Sequence, residues 1–411
     1  MKINKHCFPN GLRLVHYEDT STQMVALNIV YDVGARDEHP EHTGFAHLFE
    51  HLMFGGSAHI PDYDTPLQLA GGENNAWTNN DITNYYLTVP KPNVETAFWL
   101  ESDRMLELAF SEQSLEVQRG VVMEEFKQRC LNQPYGDVGH LFRPLAFRVH
   151  PYRWSTIGKE LSHIEQATLD EVKSFFYRFY APNNAVLAVT GNISWDETVK
   201  LTEKWFAPIP RRDVPVRQLP QEPEQTQERR LTVERNVPLD ALFMGYHMCS
   251  REGADYYAFD ILSDILSNGR SSRLNRRLVQ EQNIFSGIDA YISGTRDAGL
   301  LQISGKPAAG VSLEQAEAAV RKELEELQRS PVDGQELEKV KNKFESTQIF
   351  GNINYLNVAT NLAWFELTGK AEDIDLEVER YRSVTTEQLH TVAQRTFCES
   401  NAVVLYYKSD K

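Results

Sequence analysis

The stretch Thr168–Ile193 reads TLDEVKSFFYRFYAPNNAVLAVTGNI, and Thr385–Asp410 reads TTEQLHTVAQRTFCESNAVVLYYKSD. Thr168 aligns with Thr385, and Asn184-Ala185-Val186 with Asn401-Ala402-Val403, all at an offset of 217. Each copy predicts an amphipathic helix, a short turn and a β-rich strand. Further out, VALNIVYDVGARDE (25–38) runs into a helical pattern ending near 54, and DALFMGYHMCSREG (240–253) into one ending near 267, about 214 residues later. Two pairs of segments in the same order at nearly the same offset mark an internal duplication. Between the copies, residues 208–229 hold Pro208, Pro210, Pro215, Pro220 and Pro223 among polar residues, which is linker composition. The expected organisation is a first domain at 1–210, a Pro-rich linker at 211–229 and a homologous second domain at 230–411.

Val25–Gly34 and Thr83–Pro90 read as strands, and 43–54, 65–70, 92–109 and 112–131 as helices. In the second half, 253–267, 271–282, 313–328, 334–349 and 385–397 read as helices. Helices follow one another between strands instead of alternating singly with them. That order predicts an α+β fold of two duplicated domains, each an antiparallel-rich sheet covered by helices.

The first copy carries chemistry that the second lacks. His47-Leu48-Phe49-Glu50-His51 has the form H-x-x-E-H, the inverse of the H-E-x-x-H zinc-protease signature. Two histidines four apart on a helix stand one turn apart on one side, so both imidazoles reach a single ion. Glu50 shares that side and is placed to act as general base toward a nucleophilic water. Phe45, Leu48, Phe49, Leu52 and Met53 form the i, i+3, i+4, i+7, i+8 stripe of a core-facing helix, on the opposite face. Gly44 and Gly55-Gly56 are its expected ends. In the second copy Ile261–Ile265 (ILSDI) occupies the equivalent place, without a ligand. The plain alternative, a chance match with solvated histidines, does not account for the two-faced helix.

A catalytic zinc takes three protein ligands and keeps one position open. The segment EVQRGVVMEEFKQR, in the helix expected at 112–131, supplies the acidic candidates. Leu115, Val122 and Phe126 define its buried side, with Val121 flanking. Glu125 lies on the edge of that side, and Glu124 points roughly opposite. A buried carboxylate needs a partner such as a metal, which favours Glu125 and leaves Glu124 as the alternative.

At 411 residues, 41% hydrophobic and 24% charged, the chain is a globular protein of at least two domains. No apolar run reaches the length of a membrane span, and the start, MKINKHCFPNGLRL, has no signal-peptide core, so a cytoplasmic location is expected. Cys7, Cys130, Cys249 and Cys398 are far apart and form no CxxC, which fits a reducing compartment. A net charge of −16 argues against nucleic acid as a partner and suits an acidic cavity for basic peptides.

On His47-Leu48-Phe49-Glu50-His51, the acidic segment some 74 residues on, and Asn75-Ala76-Trp77-Thr78 before TNYYLTV, the chain resembles the pitrilysin family of zinc peptidases, over nearly all of both halves. Insulin-degrading enzyme and the mitochondrial processing peptidase belong to that family. The resemblance implies Zn²⁺ held by His47, His51 and Glu125, with Glu50 as base. It implies peptide substrates added to an edge strand through Asn75, Ala76 and Trp77, where an extended chain pairs by main-chain hydrogen bonds. It also implies a half-length member that closes a clamshell chamber as a homodimer or as a heterodimer with a homologous subunit. Two departures stand out. Gln118 occupies the place of an assisting glutamate, and Val279 and Ser286 stand where family members carry an Arg and a Tyr, with Arg276, Arg277 and Tyr291 nearby but off the pattern. A different subunit is then expected to complete the active site.

The function expected is a zinc-dependent endopeptidase acting on peptides or unfolded segments. The alternatives are a non-catalytic scaffold or core subunit of a larger complex, and a module that binds peptides without cutting them.

Overall fold

The computed structural model describes residues 1–410. In the first copy six strands form one sheet: β1 (Asn4–Cys7), β2 (Arg13–Glu18), β3 (Met24–Tyr31), β4 (Glu73–Thr78), β5 (Thr83–Pro90) and β6 (Ala185–Gly191). Their spatial order is β1-β2-β6-β3-β5-β4. In the second copy β7 (Arg229–Arg235), β8 (Ala241–His247), β9 (Phe285–Ile292), β10 (Leu300–Pro307) and β11 (Ala402–Ser409) take the order β7-β11-β8-β10-β9. The duplication extends to the pairing. In each sheet one parallel pair (β2–β6, β7–β11) adjoins antiparallel neighbours (β6–β3–β5–β4, β11–β8–β10–β9). The α+β class expected from the order of elements is the class observed.

Strand burial follows position in the sheet. β3, MVALNIVY, is central and apolar on both faces: Val25, Leu27 and Ile29 enter one core, Ala26 and Val30 another. β4, at the edge, alternates exposed and half-buried residues, the period-2 pattern of a strand with one covered face. A sheet apolar on both faces needs a layer on each. The first face of sheet one is covered from its own copy, notably by helix α1 (Phe45–Leu52). Helix α2 (Glu112–Phe126), continued by a π-helical turn at Lys127–Leu131, packs beside α1.

The other faces are covered by an exchange. The chain divides into two compact units. The first is Met1–Leu131 and Trp154–Pro220 together with Ile349–Leu376; the second is Asn132–Arg153, Gln221–Gln348 and everything from Glu377 onward. Helix α3 (Val138–Ala146) therefore lies on the second sheet, where Phe142 and Ala146 meet Val403, Leu405 and Tyr407. It comes so near that a Cβ on Gly245 of β8 would stand 2.8 Å from the Phe142 ring and would have to push that ring aside. Helix α4 (Tyr256–Ser267) covers the opposite face, with Ile261 and Ile265 buried at the places that His47 and His51 take in α1. Helix α5 (Tyr355–Thr368), from late in the chain, lies on β3 and β6 of the first sheet and buries Val358, Ala359, Leu362 and Ala363 against Val15, Ala26, Val30, Val186 and Ala188. A linear division of the chain contains no such exchange.

The Pro-rich stretch is irregular, as its composition predicts, but it is pinned at both ends. In the first unit Arg212 donates to the carbonyls of Tyr180 (2.6 Å) and Leu106 (2.7 Å), and Arg217 pairs with Asp37 at 2.6 Å. In the second, Glu222 accepts the backbone N–H groups of Arg148, Val149 and His150 at 2.8–3.1 Å.

Candidate metal centre

Helix α1 is short because Gly44, in the left-handed region at φ 87°, starts it and a turn after Met53 ends it. Its buried side is the expected stripe: Phe45, Leu48, Phe49 and Leu52 are all nearly inaccessible, and Phe49 packs on Tyr180 with ring centroids 4.3 Å apart. Packing of that side fixes the rotation of the helix, which turns His47, Glu50 and His51 the other way.

The two imidazoles stand edge to face with centroids 4.8 Å apart. Glu125 of α2 reaches toward both, its Oε2 lying 3.6 Å from His47 Nε2 and 3.4 Å from His51 Nε2. One donor atom from each of the three residues lies within 4.8 Å of the others, and no second group of this kind occurs among the described residues. Donors around a tetrahedral zinc at about 2.0–2.1 Å stand roughly 3.4 Å apart, so the two glutamate–histidine distances suit such an ion. Glu124 projects outward, half-exposed, with Lys127 at 3.5 Å. The structure therefore brings Glu125, not Glu124, to the histidines. Val121, expected at the flank of the buried side, is 46% exposed.

The protonation states suit ligation. Burial, opposed by the Glu125 charge, holds His47 down at about 4, so its imidazole is neutral and offers a lone pair at neutral pH. The hydrogen bond with His51 pulls Glu125 below the usual carboxylate range against its burial, aided by His47 and Arg129. Arg129, one turn on, holds the other carboxylate oxygen of Glu125 at 2.8 Å. His47 Nδ1 is buried with no hydrogen-bond partner, so this histidine lacks the outer acceptor that usually fixes the tautomer of a ligand. Burial raises Glu50, while a hydrogen bond from the Thr78 hydroxyl of β4 draws it back. A carboxylate so raised holds a proton more readily, which suits a group that must accept one and give it up.

β4 is the outer strand of its sheet and pairs only with β5, leaving a free edge. Asn75, Ala76 and Trp77 lie on it. Ala76 opposes Tyr85 on the α1 face, but Trp77 opposes Asn84, whose side chain bonds Asn28, itself bonded by Thr360 of α5. The Trp77 ring thus faces away from the histidines, and only its main chain lies at the edge nearest them. Thr78 and Arg129 stand at the site, and Glu38 accepts the N–H groups of Gly44 and Ala46 at the start of α1, none of them singled out from sequence. Thr78 lay inside a quoted motif and Arg129 one helical turn beyond Glu125, whereas nothing in the sequence marked Glu38.

A family model described as Insulinase (Peptidase family M16) matches residues 13–137, and one described as Peptidase M16 inactive domain matches residues 166–344. The chain belongs to peptidase family M16. The first match contains α1 and α2 with the complete donor set, and the second the copy without it. Among relatives of this M16 chain, the zinc protease PqqE of Helicobacter pylori is 26% identical over 405 residues, covering 97% of this chain and 91% of its own. The uncharacterized zinc protease YmxG of Bacillus subtilis is 24% identical over 406 residues, 98% of each chain. The crystal structure of a protease from Helicobacter pylori superposes with a TM-score of 0.94 at 26% identity, over 99% of both chains. The pitrilysin-type resemblance carried by the motifs is therefore a family membership, and relatives of the same length carry the name zinc protease. No helix among the described residues is long and apolar enough to cross a membrane.

Proposed function

We propose that this chain is a zinc endopeptidase whose metal is held by His47, His51 and Glu125 and whose general base is Glu50. The observation that carries the reading is the convergence of three donor atoms within 4.8 Å, beside a fourth polar residue on the same helix face. A zinc ion held there supplies Lewis acidity to the scissile carbonyl and makes water more acidic. Glu50 removes a proton from the attacking water, whose oxygen bonds to the carbonyl carbon. As the C–N bond breaks, the same carboxyl returns that proton to the leaving amine nitrogen. Thr78 of β4 lies beside Glu50 and favours its ionised form. The free edge of β4 takes an extended peptide by main-chain hydrogen bonds through Asn75, Ala76 and Trp77, which makes recognition tolerant of side chains. Unfolded segments and peptides are accordingly the substrate class.

The active site is completed across a clamshell dimer, by a second copy or by a homologous partner subunit. Support comes from the second unit, where Arg277 is engaged by Glu323 and Glu326 and Arg276 by Glu281, so neither is poised as a substrate ligand. The four unpaired cysteines support a cytoplasmic location. The scaffold alternative has one observation in its favour, Gln118 in place of an assisting glutamate, and the intact donor set weighs against it. The test is cleavage of a quenched, unstructured basic peptide by the purified chain, with Glu50→Gln as control. Cleavage that survives in the control refutes the mechanism, and zinc-loaded protein that is inert both alone and with a homologous partner refutes the peptidase reading.

A further inference from the structure

We infer that Glu38 is a positioning residue that fixes the metal-binding helix from outside it; this rests on the reading of α1 as the zinc helix. The first N–H groups of any helix have no partner within it and need an acceptor. The usual acceptor is the side chain of the N-cap residue. Here the N-cap is Gly44, which has none and has no room for one: a Cβ there would lie 2.5 Å from Ile164 Cδ1 and 2.9 Å from the Ile157 carbonyl oxygen, at φ +87°. Closure of the chain against Ile157–Gly158 thus removes the local cap.

Glu38 replaces it. Its carboxylate is 7% exposed, and each oxygen accepts one backbone N–H at the start of α1, Oε2 from Gly44 at 2.9 Å and Oε1 from Ala46 at 2.8 Å. Ala46 directly precedes His47. A bidentate acceptor on two N–H groups of the first turn sets both the tilt and the axial position of the helix start, and α1 is only eight residues long. An error at its first turn therefore carries through to both histidines. The segment bearing Glu38 is itself held, Trp154 donating its indole N–H to the Ala35 carbonyl at 2.9 Å and Arg217 gripping Asp37. The carboxylate is a fixed strut between that segment and α1, and it touches neither the ion site nor substrate.

Glu38→Gln is the informative change, because an amide of the same shape sets one NH₂ donor against one of the two N–H donors whichever way it is turned. Zinc affinity is measured by chelator competition, with amide exchange at Gly44–Leu48 as a second readout. The expected result is a zinc Kd raised roughly tenfold or more, the scale seen when outer partners of metal ligands are changed, with faster exchange at Gly44 and Ala46. Val30→Ala, on the α5 face of the same sheet, is the stability control and is expected to lower Tm without moving the zinc Kd. Should Glu38→Gln fail to fold, Glu38→Asp, one methylene short of both N–H groups, is read the same way. An unchanged Kd in the Glu38 variant, or an equal loss in Val30→Ala, overturns the inference. Wild-type protein that binds no zinc overturns the proposed function and this inference with it.

Discussion

Replacing Leu362 by Ala asks whether the sheet that carries α1 depends on a segment more than 300 residues beyond that helix. Leu362 is fully buried on α5 against Val30, Val186 and Ala188. The substitution removes three carbons from that core. At ~0.8 kcal/mol per buried CH₂ the lost transfer energy is about 2.4 kcal/mol. The surrounding strands are held by ladders on both sides and cannot close the gap fully, so the cavity raises the cost to about 3–4 kcal/mol. For a unit of this size that corresponds to roughly 6–16 °C in Tm. The assay is hydrogen exchange followed by mass spectrometry, comparing peptides from β3 and β6 with peptides from β8 and β11. Protection is expected to fall in the first pair while the second pair holds, although residue 362 comes from the second copy. Loss confined to β8 and β11, or a destabilisation below about 1 kcal/mol, would refute the exchange of covering helices and the packing behind it.

Glu50→Gln is expected to abolish turnover with zinc content unchanged, measured by peptide cleavage and metal analysis; substantial residual cleavage removes Glu50 as the base. Glu125→Gln is expected to lower zinc occupancy sharply while Glu124→Gln leaves it intact, and the reverse pattern would shift the third ligand to Glu124. Extended dialysis against a chelator should eliminate activity, and added zinc should restore it; cleavage that persists in metal-free protein contradicts the proposal. In the second unit, burial pushes Glu317 up, but hydrogen bonds from Arg230, Tyr406 and Arg321 outweigh it and hold the carboxyl at about 2. A depressed carboxylate stabilises the fold above its unfolded value of 4.5 and loses that contribution as pH falls toward 2. Because Arg230 is partly exposed, roughly 2 kcal/mol is expected from this group. Denaturant midpoints between pH 5 and pH 2 should therefore fall less steeply in Glu317→Gln than in wild type, and parallel curves would discard the assignment.

The site was legible in the sequence to the extent that it is local. His47, Glu50 and His51 share a helix face because of the helical repeat alone, and the apolar residues between them state which face is buried. Glu125 required one further step, the choice between neighbouring carboxylates by angle around α2; its carboxylate lies 3.4 Å from His51, while Glu124 stands beside Lys127. The same angular argument misplaced Val121, since a residue at the margin of a helical stripe is buried or exposed according to what packs there. Trp77 shows the other limit. A strand alternates its side chains, but which set faces the helix is fixed by register with β5, and the sequence of β4 alone does not contain that register.

What the sequence determined by itself was the duplication, the α+β class, the metal motif and the loss of that motif from the second copy, all of them written in periodicity and residue type. The tertiary structure alone decided which segment covers which sheet face, and which groups satisfy the ends of the metal helix. The physical reason is that hydrophobic burial has no direction, so the apolar faces of α3 and α5 state that they must be covered but not by which sheet. Glu38 likewise is an ordinary loop glutamate until folding brings it within 3 Å of two unpaired N–H groups. Sequence patterns specify what a segment must bury or bond, while its partner is fixed only when the whole chain closes.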